Sequence, residues 1–154
     1  MDYQEAKMVS KKTFEEALHE SMRQKDEVAK NTYKILLSSI KMAEIEKGAE
    51  IDESQILGII QKEIKMRRES IGEFQKGDRS DLIKLAESEI ALLQKFLPAQ
   101  MSDDDIKKIA VEVIKEVNAS APSDMGKVMK VLIPKLAGKA PSDRISQVVR
   151  SLLA

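Results

Sequence analysis

The chain has 154 residues, 34% of them charged and 3% aromatic, with no cysteine, and its 26 basic and 26 acidic side chains cancel to a formal net charge of zero. The absence of cysteine excludes disulfides and thiolate metal sites, and the scarcity of aromatic residues disfavours sheets, whose strands select β-branched and aromatic side chains. A zero total gives no global attraction to nucleic acid or membrane, so only the placement of charge is informative.

Residues 1–10, MDYQEAKMVS, have neither a basic start nor a long apolar stretch, and no run of about 18 apolar residues occurs anywhere. The resulting expectation is a soluble protein with a cytoplasmic home and no membrane contact. Thr13 and Glu16, spaced T-x-x-E, predict the first helix start, with Phe14, Leu18 and Met22 on one face. From Glu27 to Lys47, Val28, Ile35, Leu36, Ile40 and Ala43 follow helical spacing, and Gly48 supplies a stop. Asp52 with Gln55 marks a third start, and Ile56, Ile60, Ile64, Ile71 and Phe74 carry a stripe toward Gly77. A fourth helix between Ser80 and Phe96, bearing Leu82, Ala86, Ile90 and Leu93, is expected to stop at Pro98. Four antiparallel helices with short connections predict a bundle.

The stretch LPAQMS, Leu97 to Ser102, pairs this stop with a new cap, since Ser102 precedes Asp103, Asp104 and Asp105 at the positive end of the next helix. Ile106, Ile109, Ala110, Val113, Ile114 and Val117 then form an amphipathic pattern. Pro122 and Ser123 open a sixth helix carrying Met125, Val128, Met129, Leu132 and Leu136, which Pro134 kinks or ends. A turn at Gly138 and Pro141 leads to a last helix with Ile145, Val148, Val149 and Leu152. The predicted fold is all-α: an N-terminal helical bundle of about four helices and a C-terminal three-helix tail domain.

His19 is the only histidine, so Ser/His/Asp, Cys/His and histidine-rich zinc arrangements cannot be assembled within one chain. The carboxylates mostly alternate with Lys and Arg on faces that read as exposed, and the faces that read as buried are apolar. Neither a Walker A sequence nor G-x-G-x-x-G is present. The reading assigns no catalytic residue, no metal site and no cofactor.

Charge placement is more telling. Residues 125–154 hold Lys127, Lys130, Lys135, Lys139, Arg144 and Arg150 against Asp143 alone, a net of +5, whereas residues 99–124 carry −3. A second basic group, Lys62, Lys65, Arg67 and Arg68, falls on the middle of the third helix. Such clusters suit phosphate contacts, although lysine-rich helix faces also serve solubility.

Five separated segments carry a resemblance: ILLSSIKMAEIEKG at Ile35 to Gly48, QKEIKMRRESIGEF at Gln61 to Phe74, FLPAQMS at Phe96 to Ser102, SDMGKVMKVLIPKLAGKA at Ser123 to Ala140, and the terminal VVRSLL. In this order they resemble the YqeY family across about residues 14–153. The resemblance implies a helical bundle at 14–98 and, at 99–154, a helical domain similar to the tail of the B subunit of the bacterial tRNA-dependent amidotransferase. Residues 1–13 precede the usual start of the pattern as an extension. Related modules resemble appended domains of some glutaminyl-tRNA synthetases. In the B subunit the tail helps to hold tRNA, while ammonia transfer and ATP use belong to other parts.

Three readings follow. The first is a non-catalytic tRNA-binding accessory module that uses Lys127, Lys130, Lys135, Lys139, Arg144 and Arg150, with an aminoacyl-tRNA synthetase or an amidotransferase as further partner. The second is a subunit contributing to carbon-nitrogen ligase activity with a partner that supplies the reactive groups. The third is a protein-interaction adaptor that grips through Met125 and Met129.

Overall fold

The computed structural model describes residues 8–154, so the expected extension at 1–13 lies outside the described residues up to residue 7. The chain is all-helical over the described residues and divides into two compact units, one reaching to Leu97 and the other Pro98–Ala154.

The first unit holds α1 (Lys11–Arg23), α2 (Glu27–Lys47), α3 (Glu53–Lys76) and α4 (Ser80–Gln94). Helix α1 starts three residues earlier than its T-x-x-E spacing predicts. Ser10 is the cap, and Thr13 lies inside the first turn, where its Oγ1 accepts the Ser10 amide at 3.0 Å. The apolar face is also shorter than expected, since Phe14 is buried while Met22 is exposed. Asp26 caps α2 by accepting the Ala29 amide at 3.1 Å, and Gly48 ends it with φ +72, where a side chain would be strained. At the start of α3, the Asp52 carboxylate accepts the Gln55 backbone amide at 2.9 Å and the Gln55 side-chain oxygen Oε1 accepts the Asp52 amide at 3.1 Å. The far end of α3 reaches Gly77 as its stripe predicts. Gly77 keeps φ −90, and Asp78 takes the left-handed conformation at φ +54 while the Arg79 amide closes back to Phe74 O at 2.9 Å. Aspartate reaches that region more readily than most residues.

Helix α4 ends well before Pro98, because the amides of Phe96 and Leu97 turn back to the carbonyls of Leu93 and Gln94, tightening the last turn. Helix α1 packs on α2 and α3 on α4, with α2 also meeting α3 and α4. The core is aliphatic, built on Leu36, Ile40, Ile60, Ile64 and Leu93, with one aromatic cluster. There Phe96 meets Phe14 edge-on at 4.8 Å and Tyr33 at 5.9 Å between ring centres.

The second unit holds α5 (Asp103–Glu116), a single 3-10 turn (Pro122–Asp124), α6 (Met125–Lys135) and α7 (Ser142–Leu153). Ser102 Oγ accepts the Asp105 amide at 3.2 Å, and three aspartates occupy the first turn of α5. Pro134 lies one residue inside the end of α6. All three helices contribute to one core, which includes Ile106, Val113, Val128, Leu132, Ile145 and Val149. The segment leading into α5 straps the turn between α6 and α7. The Met101 amide donates to Lys139 O at 2.9 Å, and Gln100 Nε2 donates to Gly138 O at 2.7 Å. Arg144 completes the strap, with Nε on Asp103 Oδ1 at 2.7 Å and Nη2 donating to the Met101 carbonyl.

Candidate nucleic-acid interface

The basic side chains of the second unit take their positions from its core. Val128 and Leu132 are fully buried, so the helical repeat turns Lys127 and Lys130, three residues apart, to the opposite, exposed side of α6. The turn ahead of them is built around Asp124, whose carboxylate accepts the amides of Ser120 at 2.9 Å and Ala121 at 3.1 Å. Those two amides, with Lys127 Nζ at 3.6 Å, hold the Asp124 carboxyl below the usual carboxylate range. Lys127 is thus lightly paired, and Lys130 has no ion-pair partner among the described residues.

The remaining basic residues divide by their partners. Lys135 Nζ stands 3.8 Å from Glu116, a long contact between exposed groups. Lys139 and Arg150 are exposed, Lys139 on the strapped turn and Arg150 on α7. Arg144 is different, because its guanidinium is committed to Asp103 and Met101 within the strap. It organises the unit and has little capacity left for a phosphate.

On α3 the expected cluster comes apart. Lys62, Lys65 and Arg68 are exposed, but Arg67 turns inward with only 12% of its side chain accessible. Its position explains this. Arg67 follows Ile60 and Ile64 and precedes Ile71 at helical spacing, so it lies in the buried stripe. Arg67 Nη1 meets Glu63 at 2.7 Å and Nε meets Glu89 of α4 at 3.0 Å, while Ser39 of α2 donates to Glu63 at 3.1 Å. Arg67 therefore leaves the phosphate-contact set. Sequence reasoning missed this network by reading the apolar stripe without the charge embedded in it. The i, i+4 spacing of Glu63 and Arg67 across that stripe was the available signal.

Met125 and Met129 are partly buried and packed against the tail core, which fills space with them and leaves little for a gripping surface. His19 is exposed. Among the described residues, no group of three or more histidines and carboxylates is placed to hold a metal ion, and no helix is long and apolar enough to cross a membrane.

Residues 11–153 match the family model described as Yqey-like protein. Among curated proteins, the chain is similar to "Altered inheritance of mitochondria protein 41, mitochondrial" of several fungi. The Lachancea thermotolerans protein is 36% identical over 69% of this chain and 58% of its own length. The Clavispora lusitaniae protein is 33% identical over 81% of this chain and 76% of its own length. The Kluyveromyces lactis protein is 32% identical over 69% of this chain and 59% of its own length. The chain thus spans about three fifths of two of these relatives. Their names place them in mitochondria, which overturns the expectation of a cytoplasmic home drawn from the lack of a leader pattern. Composition cannot report a compartment that related proteins reach by sorting.

Proposed function

We propose, since the chain belongs to the YqeY family, that it is a non-catalytic tRNA-binding accessory module whose second unit holds the phosphate backbone. The observation that carries this reading is the exposed pair Lys127 and Lys130 on one face of α6, supported by exposed Lys139 and Arg150 in the same unit. These groups are fixed by a packed core and only weakly neutralised from within. The second unit contains no aromatic residue, so it offers no stacking platform for single-stranded bases. Backbone contacts on a structured duplex give affinity with little base selection, and folded tRNA presents such a surface. Residues from about 99 to 154 act in this reading as a separable domain.

The test is tRNA binding over a salt series for the parent chain and for Lys127→Glu with Lys130→Glu. Each neutralised phosphate releases condensed counterions, so the parent's affinity should fall steeply with salt, and the slope should flatten by about two charges in the variant. Both positions are exposed and glutamate is a good helix former, so circular dichroism should match. Equal binding and equal slopes with an intact fold would remove this face from the site. An amidotransferase-subunit reading has no supporting geometry, and Met125 and Met129, packed against the tail core, give the adaptor reading little surface.

A further inference from the structure

The first unit carries an apolar surface that its own folding does not use. Met42, Ile45 and Met66 are 68%, 70% and 42% exposed. Met42 and Ile45 sit on the last turns of α2, and Met66 lies on α3 at helical spacing from Ile59 and Lys62. Between these helices runs an open groove of about 550 Å³ whose apolar lining includes Ala43, Ile51 and Ile59. Lys47 borders it on the α2 side and Lys62 on the α3 side, with Glu46 as the one carboxylate among its lining residues.

One further residue lines the groove without an internal reason to be what it is. Gly58 is in the interior of α3, where glycine is disfavoured relative to alanine. A Cβ built there meets nothing within 4 Å, so packing inside the chain does not demand glycine. Open space beside a mid-helix glycine permits close approach by another backbone.

We infer that the groove between α2 and α3 is a docking site for an amphipathic helix of a partner protein, one with an apolar stripe and acidic flanks. Apolar side chains of that helix enter over Ala43, Ile51 and Ile59, its backbone passes close to Gly58, and its carboxylates meet Lys47 and Lys62. Exposed methionines suit such a surface because their unbranched, polarizable side chains adapt to the incoming shape. This inference does not rest on the tRNA reading, which uses the other unit.

The experiment uses the full chain, labelled on its methionine methyl groups, and two synthetic helical peptides of about 18 residues, five turns each. Both peptides carry leucine at i, i+4 and i+7; one has glutamate flanks and the other lysine flanks. The glutamate peptide should shift the signals of Met42 and Met66 and leave Met125 and Met129 unmoved. The lysine peptide should bind at least about tenfold more weakly, the equivalent of a few exposed ion pairs lost to repulsion. Gly58→Phe should weaken the glutamate peptide by a similar factor at unchanged helicity, and Lys47→Glu with Lys62→Glu should reduce or invert the preference between peptides. No binding at millimolar peptide, equal affinity for both peptides, or shifts confined to other methionines would overturn the inference. So would concentration-dependent shifts of Met42 and Met66 without peptide, which would assign the groove to a second copy. Shifts of the same methyl groups on adding tRNA would assign it to nucleic acid and overturn it as well.

Discussion

Replacing Arg67 by methionine removes the cation that sits between the carboxylates of Glu63 and Glu89. Glu63 would keep only its 3.1 Å hydrogen bond from Ser39, with 8% of its side chain accessible, while Glu89, at 20%, could recover part of its hydration. Breaking a buried pair by removing one partner costs about 3–5 kcal/mol, and partial rehydration of Glu89 puts the expectation near the lower end, at about 3 kcal/mol. With a urea dependence of about 1.5 kcal/mol per molar for a unit of this size, that loss lowers the unfolding midpoint by about 2 M. Helicity at 222 nm against urea is the assay. Adding Glu63→Gln should restore most of the loss, since an uncharged amide can still accept from Ser39. A loss below about 1 kcal/mol would mean that the network behaves like an exposed ion pair and would refute the argument. A double variant no more stable than the single one would refute it too, by showing that lost packing, not stranded charge, dominates.

The strap and the turn before α6 give two more expectations. A fragment of residues 98–154 should unfold cooperatively, whereas one of residues 103–154, lacking the Ser102 cap and the Gln100 and Met101 hydrogen bonds, should be less stable by about 2–4 kcal/mol. Equal stability of the two fragments would make the strap incidental, and a disordered longer fragment would sink the separable domain. For Asp124, the carboxyl is held below its ordinary value in the folded chain, so its stabilisation is complete above about pH 4 and is lost as pH falls through the depressed value. Exchange at the Ser120 and Ala121 amides should therefore show faster local opening at low pH, beyond the intrinsic pH trend. Asp124→Asn should abolish that excess; an unchanged profile would contradict the assignment.

Helix number, order and most boundaries were legible because they depend on local chemistry. Asp52 with Gln55, Ser102 and Gly48 each act through groups within four residues, and each acts as its spacing suggests. Thr13 was misplaced because a hydroxyl in a first turn and a capping hydroxyl look alike in sequence, and only the amide geometry of Ser10 separates them. At the end of α3, Asp78 takes the left-handed position although the neighbouring Gly77 carries the lower intrinsic cost. Arg67 and Arg144 are the instructive cases for the candidate site. Each belongs to a run that reads as a solvated basic face, and each is claimed by carboxylates or carbonyls distant in sequence, such as Glu89 and Asp103. Exposed Lys127 and Lys130 needed only the repeat of α6 to be placed. Gly58 and the neighbouring groove were not legible, because an isolated glycine in a helical pattern does not reveal whether space lies beside it.

The strap in the second unit also bears on how the chain is made. Its bonds join residues 38 to 43 positions apart, and α5 meets both α6 and α7. During synthesis the first unit has all its helices once Gln94 has emerged, whereas Ile106, Ala110 and Val113 must wait for Ile145 and Val149 before their apolar face is covered. A ribosome that stops before α7 therefore releases a chain with a finished first unit and an open, sticky second one. Such premature products should be drawn to chaperones and proteases through residues 98–141, with no fault anywhere in the first unit.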